Sequence, residues 1–127
     1  MIEKQQDAVE AVLDAIDRDD DWAFAFMHAD FSDDPVPHAI LRGFLVVEED
    51  GKVRKAPFAM ASNRIEECFL ALREVYQEAG DTIHRLDLTI EADGPFRFEF
   101  DYDGEARSAA EASAEIERRF EDLAASI

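Results

Sequence analysis

The chain has little of what usually staples or specialises a small protein. One cysteine in 127 residues excludes an internal disulfide and suits a reducing compartment. The histidines, His28, His38 and His84, share no metal-ligand spacing such as an i, i+4 pair on a helix. No run reaches the roughly 18 consecutive apolar residues of a membrane helix. The start, Met1-Ile2-Glu3-Lys4-Gln5-Gln6-Asp7, lacks the apolar core of a leader, so a cytoplasmic location away from membranes is expected. There is no Gly-rich phosphate loop, no nucleophile elbow and no basic patch with interleaved aromatics.

Basic residues are scarce as well. Against 31 acidic residues stand 13 basic ones, a net charge of −18. Such a field repels nucleic acid and anionic membrane and steers basic proteins inward. Acidic, Lys-poor surfaces also accompany adaptation to high salt, and excess charge favours solubility. Composition does not separate these readings.

What is present is a sequence for one domain, 1–127, able to bury a core without metals or cross-links. Ile2 to about Arg18 has Val9, Val12, Leu13 and Ile16 at helical spacing, and Asp17-Arg18-Asp19-Asp20-Asp21 ends it in an acidic corner. Trp22 to Met27 predicts a strand with Trp22, Phe24 and Phe26 on a bulky core face and small residues on the other. A Pro-containing loop at 32–37 leads to a strand from His38 to Glu48, a tight turn at Glu49-Asp50-Gly51-Lys52, and a short strand limited by Pro57. Asn63 and Glu66 have the spacing of a capping box before a second helix, whose stripe is Ile65, Cys68 or Phe69, Leu72, Val75, Tyr76 and Ala79, with Gly80 as its stop. Ser108 and Glu111 repeat the capping signature before a last helix carrying Ile116, Phe120, Leu123 and Ile127. The order α-β-β-β-α-β-β-α, without regular βαβ alternation, predicts an α+β fold. Its sheet would be mostly antiparallel, of about five strands, with the helices on one face.

The hairpin from His84 to Asp103 is the clearest element. Leu86, Leu88 and Ile90 alternate with charged or polar residues, and after Ala92-Asp93-Gly94 so do Phe96, Phe98, Phe100 and Tyr102. A two-residue Asp-Gly loop would set Ile90 against Arg97. A three-residue loop with Gly94 left-handed pairs Ile90 with Phe96, Leu88 with Phe98 and Leu86 with Phe100, so all six are expected to be buried on one face. On the other face this register opposes Arg85 to Asp101, Thr89 to Arg97, and Asp87 to Glu99. The last pair is like-charged and unfavourable. It belongs either to a solvated face damped by Arg85 and Arg97 or to a carboxylate cluster kept for a cationic partner.

Leu88-Thr89-Ile90, Asp93-Gly94, Phe96 and the closing Phe100-Asp101-Tyr102-Asp103 resemble the YezG-like immunity protein family, in which a long helix precedes a similar strand, an Asp-Gly turn and a strand ending Phe-Asp-Tyr-Asp. The resemblance is best from about Ile65 to Asp103. It implies a non-catalytic bacterial antitoxin that neutralises a cognate toxin made by the same cell, often a nuclease domain. Acidic surface on the antitoxin would then complement the toxin's basic surface. Asp87, Glu91, Glu99, Asp101 and Asp103, with the Asp19-Asp20-Asp21 corner, are the candidate partner contacts.

Other chemistries have weaker grounds. Cys68 lies on an apolar stripe without a base beside it and reads as a small apolar residue. His28 and His38 could face each other across two strands, an incomplete site. Asp101 to Glu105 lacks the ligand repeat of a calcium loop. A hydrolase using Asp87, Glu99 and Asp101, alone or around a cation, is the alternative enzymatic reading, and a binding module for an unrelated basic protein is a third. No cofactor or metal is expected.

Overall fold

The structure, a computed structural model, describes residues 2–16, 22–58, 63–102, 104 and 108–127. The elements are α1 (Ile2–Asp14), β1 (Trp22–Ser32), β2 (His38–Glu49), β3 (Lys52–Ala56), α2 (Arg64–Glu78), β4 (Arg85–Glu91), β5 (Phe96–Asp101) and α3 (Ala109–Ala125). The strands form one antiparallel sheet in the order β3-β2-β1-β4-β5. The α+β class, the element order and the five antiparallel strands are those expected. Helix α1 ends at Asp14, earlier than anticipated, and the Asp19-Asp20-Asp21 corner lies outside the described residues.

The helices do not share one face. α1 and α2 cover Ala25, Met27, Ala29, Leu45, Leu86, Leu88 and Ile90, with Val9, Val12, Ile65, Phe69 and Leu72 from the helices. α3 covers the opposite face, where Phe26, Phe44 and Val46 meet Phe24, Ile116, Phe120 and Leu123. The reason is β1 itself. As the central strand it is apolar on both sides, and each side needs a cover. The bulky side faces α3, where the Phe26 and Phe44 rings stack at 5.0 Å and Phe120 meets Phe44 edge-on at 5.6 Å. Trp22 departs from that alternation: a register irregularity between Trp22 and Phe24 turns it toward the α1–α2 side.

Local signals decide several boundaries. Asp50 and Gly51 have φ of 53° and 77°, the positive values a two-residue type I′ turn needs between β2 and β3. Gly80 ends α2 in a Schellman motif, with Gly80 N–H donating to Gln77 O at 3.0 Å and Asp81 N–H to Tyr76 O at 2.9 Å. Ser108 caps α3 through Glu111 N–H at 3.1 Å. The box expected at α2 does not form. Asn63 makes no side-chain cap, its backbone at φ −86° and ψ 10° lacking the extended conformation of a capping residue, and the Glu66 carboxylate instead accepts from Ala39 N–H at 2.9 Å and ties the helix to β2.

The hairpin register is as predicted. Ile90 pairs with Phe96, Leu88 with Phe98 and Leu86 with Phe100. Gly94 takes φ 121° in the three-residue loop, and Glu91 N–H reaches Pro95 O at 2.8 Å. The expected burial holds only for β4. Phe98 and Phe100 are half-buried and Phe96 is 40% exposed, since β5 is the sheet edge and the helices do not reach over all of it.

Candidate functional site

The polar face of the hairpin is roofed by α3, and the roof supplies the missing cation. Asp87 and Glu99 stand opposite each other as expected. Arg119, one turn along from Ile116 on the inward face of α3, donates to Asp87 Oδ2 at 3.1 Å and to Glu99 Oε2 at 3.1 Å. That guanidinium holds the Glu99 carboxyl below the usual carboxylate range despite its partial burial, and the arginine is raised in turn.

Behind Asp87 lies His28, 3% exposed on β1. Its Nδ1 donates to Asp87 Oδ1 at 2.5 Å and its Nε2 to Asp30 Oδ2 at 3.0 Å. Ionised carboxylates only accept, so satisfying both contacts requires the doubly protonated ring. Burial pushes the imidazole down, yet hydrogen bonds and charge from Asp30 and Asp87 outweigh it and raise its pKa above the ordinary 6.5. Arg42 of β2 donates to Asp30 at 2.8 Å, and Arg97 pairs with Glu99 at 3.1 Å. The result is a chain of alternating charge, Arg42–Asp30–His28–Asp87–Arg119–Glu99–Arg97, crossing four strands and one helix. Arg85 and Asp101, bonded at 2.7 Å, close the end of the face.

A cleft of about 120 Å³ opens between α3 and this face, lined by His28, Arg85, Asp87, Glu99, Asp101 and Arg119 among others. That is below the roughly 300 Å³ at which ligand pockets begin. Both ring nitrogens of His28 already hold carboxylates, so the arrangement fixes charge instead of presenting a base.

A second network lies at the far end of α2. Arg73, 4% exposed, donates from Nε to Ile83 O at 3.0 Å and grips Asp33 with both terminal nitrogens at 2.8 and 3.1 Å. It lies over the Phe31 ring at 5.2 Å. The pairing lowers the Asp33 pKa. Beside it a groove of about 580 Å³ runs between α2 and the β1–β2 loop, with Pro37, Leu70 and Ala71 as apolar lining and Asp33, Glu67 and Glu74 around them.

No family model matches this chain, and no curated protein matches it significantly.

The anticipated contact residues are therefore distributed unevenly. Asp87, expected on an open face outside the core, is 8% exposed beneath α3. Glu99 and Asp101 are partly exposed but already paired with arginines. Glu91 is exposed, and Asp103 lies outside the described residues. His28 and His38 do not face each other: His28 pairs with Arg42, and His38 with Ser32. Cys68 is half-buried, and burial raises its thiol pKa. Arg119, Arg42 and the buried roles of His28 and Arg73 were not foreseen. The signal for Arg119 was available: a like-charged pair across a ladder demands a cation, and residue 119 falls on the apolar stripe of the last helix. Arg73 left no signal, because a cation beside Leu72 reads as the solvent edge of that stripe.

Proposed function

We propose that the protein is an immunity protein that binds and neutralises a basic toxin domain, of the nuclease kind where phosphate-binding surface must be masked. The observation that carries this reading is the surface charge left once the internal pairs are counted. Arg42, Arg73, Arg85 and Arg119 are all spent on acids of their own chain. Meanwhile Glu3, Asp7 and Glu10 of α1 and Glu67, Glu74 and Glu78 of α2 remain exposed on helices that pack side by side. The sequence resemblance of the 65–103 segment adds independent support.

The α2 groove suits such contact better than the hairpin. Its apolar lining offers desolvated area, and its glutamates offer complementarity to a basic surface. The hairpin acids, neutralised by α3, offer less. The test takes a toxin-like domain, should one be encoded beside this gene, in a growth-protection assay and by calorimetry. Glu67→Lys with Glu74→Lys should weaken binding at least about tenfold and abolish protection, with circular dichroism unchanged, since both residues are exposed. Full protection by that double variant would remove the groove from the mechanism. Absence of binding by the wild-type chain would remove the immunity reading itself.

A further inference from the structure

We infer that β5 pairs edge to edge with β5 of a second copy, joining two sheets across a two-fold axis at Phe98. β5 is one of the two edge strands of the sheet, with no further strand paired to it among the described residues. The Glu91–Pro95 bond fixes which of its backbone groups point outward. In the alternation of an antiparallel ladder Arg97, Glu99 and Asp101 bond to β4, so Phe96, Phe98 and Phe100 turn their N–H and C=O groups to the open edge. A second strand must engage those residues, which restricts a two-fold antiparallel pairing to axes at 97, 98 or 99.

Charge then selects among the three. An axis at 97 faces Arg97 with its own copy, and an axis at 99 does the same to Glu99. Both are like-charged. An axis at 98 sets Arg97 of each copy against Glu99 of the other, twice over, as a close non-hydrogen-bonded pair. It also aligns Phe96 with the second copy's Phe100 and Phe98 with its own counterpart, with about six new backbone bonds. The aromatics are ready for this contact. Phe96 and Phe98 meet at 5.9 Å, Phe98 and Phe100 stack at 5.7 Å, and Tyr102 continues the row at 6.5 Å, with Phe96 40% and Tyr102 51% exposed. Opposing this is the long-range repulsion of two chains at −18 each, so association strengthens as salt screens it. The inference is independent of the toxin reading, whose contacts lie on α2.

The experiment is sedimentation of the full chain across a concentration series in about 0.05 M and about 0.5 M salt, with amide exchange by NMR on the same samples. The expected result is a reversible dimer, tighter in the higher salt, in which the Phe96, Phe98 and Phe100 amides gain protection while Arg97 and Glu99, already bonded to β4, do not change. Arg97→Glu, at a side chain 69% exposed, should weaken the dimer about tenfold or more by making both cross-copy pairs repulsive. A chain that stays monomeric at about millimolar concentration in the higher salt overturns the inference. So does a folded Arg97→Glu variant that dimerises as tightly, or protection lacking the alternate-residue pattern. Should that variant fail to fold, the exchange pattern of the wild type decides.

Discussion

Two carboxylates facing each other across an antiparallel ladder repel, and Asp87 and Glu99 coexist because the Arg119 guanidinium lies against both. Arg119→Met keeps the aliphatic stem packed and removes the charge. It should cost about 1–2 kcal/mol in urea denaturation, discounted because the site is partly wet. Adding Glu99→Gln should recover most of that loss, and an additive double variant would show that the pair does not couple. His28 gives the site its pH dependence. The folded protein holds the imidazolium more tightly than the unfolded chain, so this contribution is fully present below the ordinary value of 6.5 and is lost as pH rises through the higher folded pKa. Glu99 acts in the other sense: its contribution is present above the ordinary 4.5 and lost as pH falls through its lowered pKa. Stability should therefore peak between these values, and His28→Gln should flatten the alkaline limb. A variant whose alkaline limb matched the wild type would remove His28 as its source.

At the scale of elements, the hairpin separates what a sequence encodes locally from what the assembly decides. Strand register and loop length were legible because parity leaves one solution that keeps Phe96, Phe98 and Phe100 on the side of Leu86, Leu88 and Ile90. How deeply those rings are buried was not legible, because it depends on how far α1 and α2 extend over the edge. Phe98→Ala should accordingly cost about 1.5–3 kcal/mol, less than the 3–5 kcal/mol of a fully enclosed phenylalanine. A loss at the upper figure would mean that β5 is covered in solution. The placement of α3 followed the same logic. Phe24 and Phe26 were recognisable as bulky core residues, but alternation alone does not say which helix covers which face, and the bulge after Trp22 breaks the alternation where the strand starts. The polar site was half legible: the carboxylate opposition came from register, whereas its cation came from an element far away in sequence.

For the whole molecule, the charge of −18 acts in opposite directions on folding and on binding. Internal pairs neutralise the sheet face beneath α3, so the exposed excess on α1 and α2 repels itself in the folded chain and attracts any basic surface from a distance. Raising salt from about 0.05 M to about 1 M shortens the screening length from over 10 Å to about 3 Å. The unfolding midpoint should rise with that change, because self-repulsion is screened, while the close pairs around Asp87 are affected less. Under the proposed immunity role, association with a basic toxin domain should slow by about tenfold or more, with a smaller change in dissociation, because steering acts on encounter and short-range contacts act on escape. Stopped-flow association and thermal denaturation on the same salt series measure the two effects separately. Slower association with a higher melting temperature would tie the acidity to a basic partner. If the melting temperature rises and the association rate stays constant, the acidity belongs to solubility or high-salt adaptation, and the proposed toxin contact would have to rest on the apolar lining of the α2 groove.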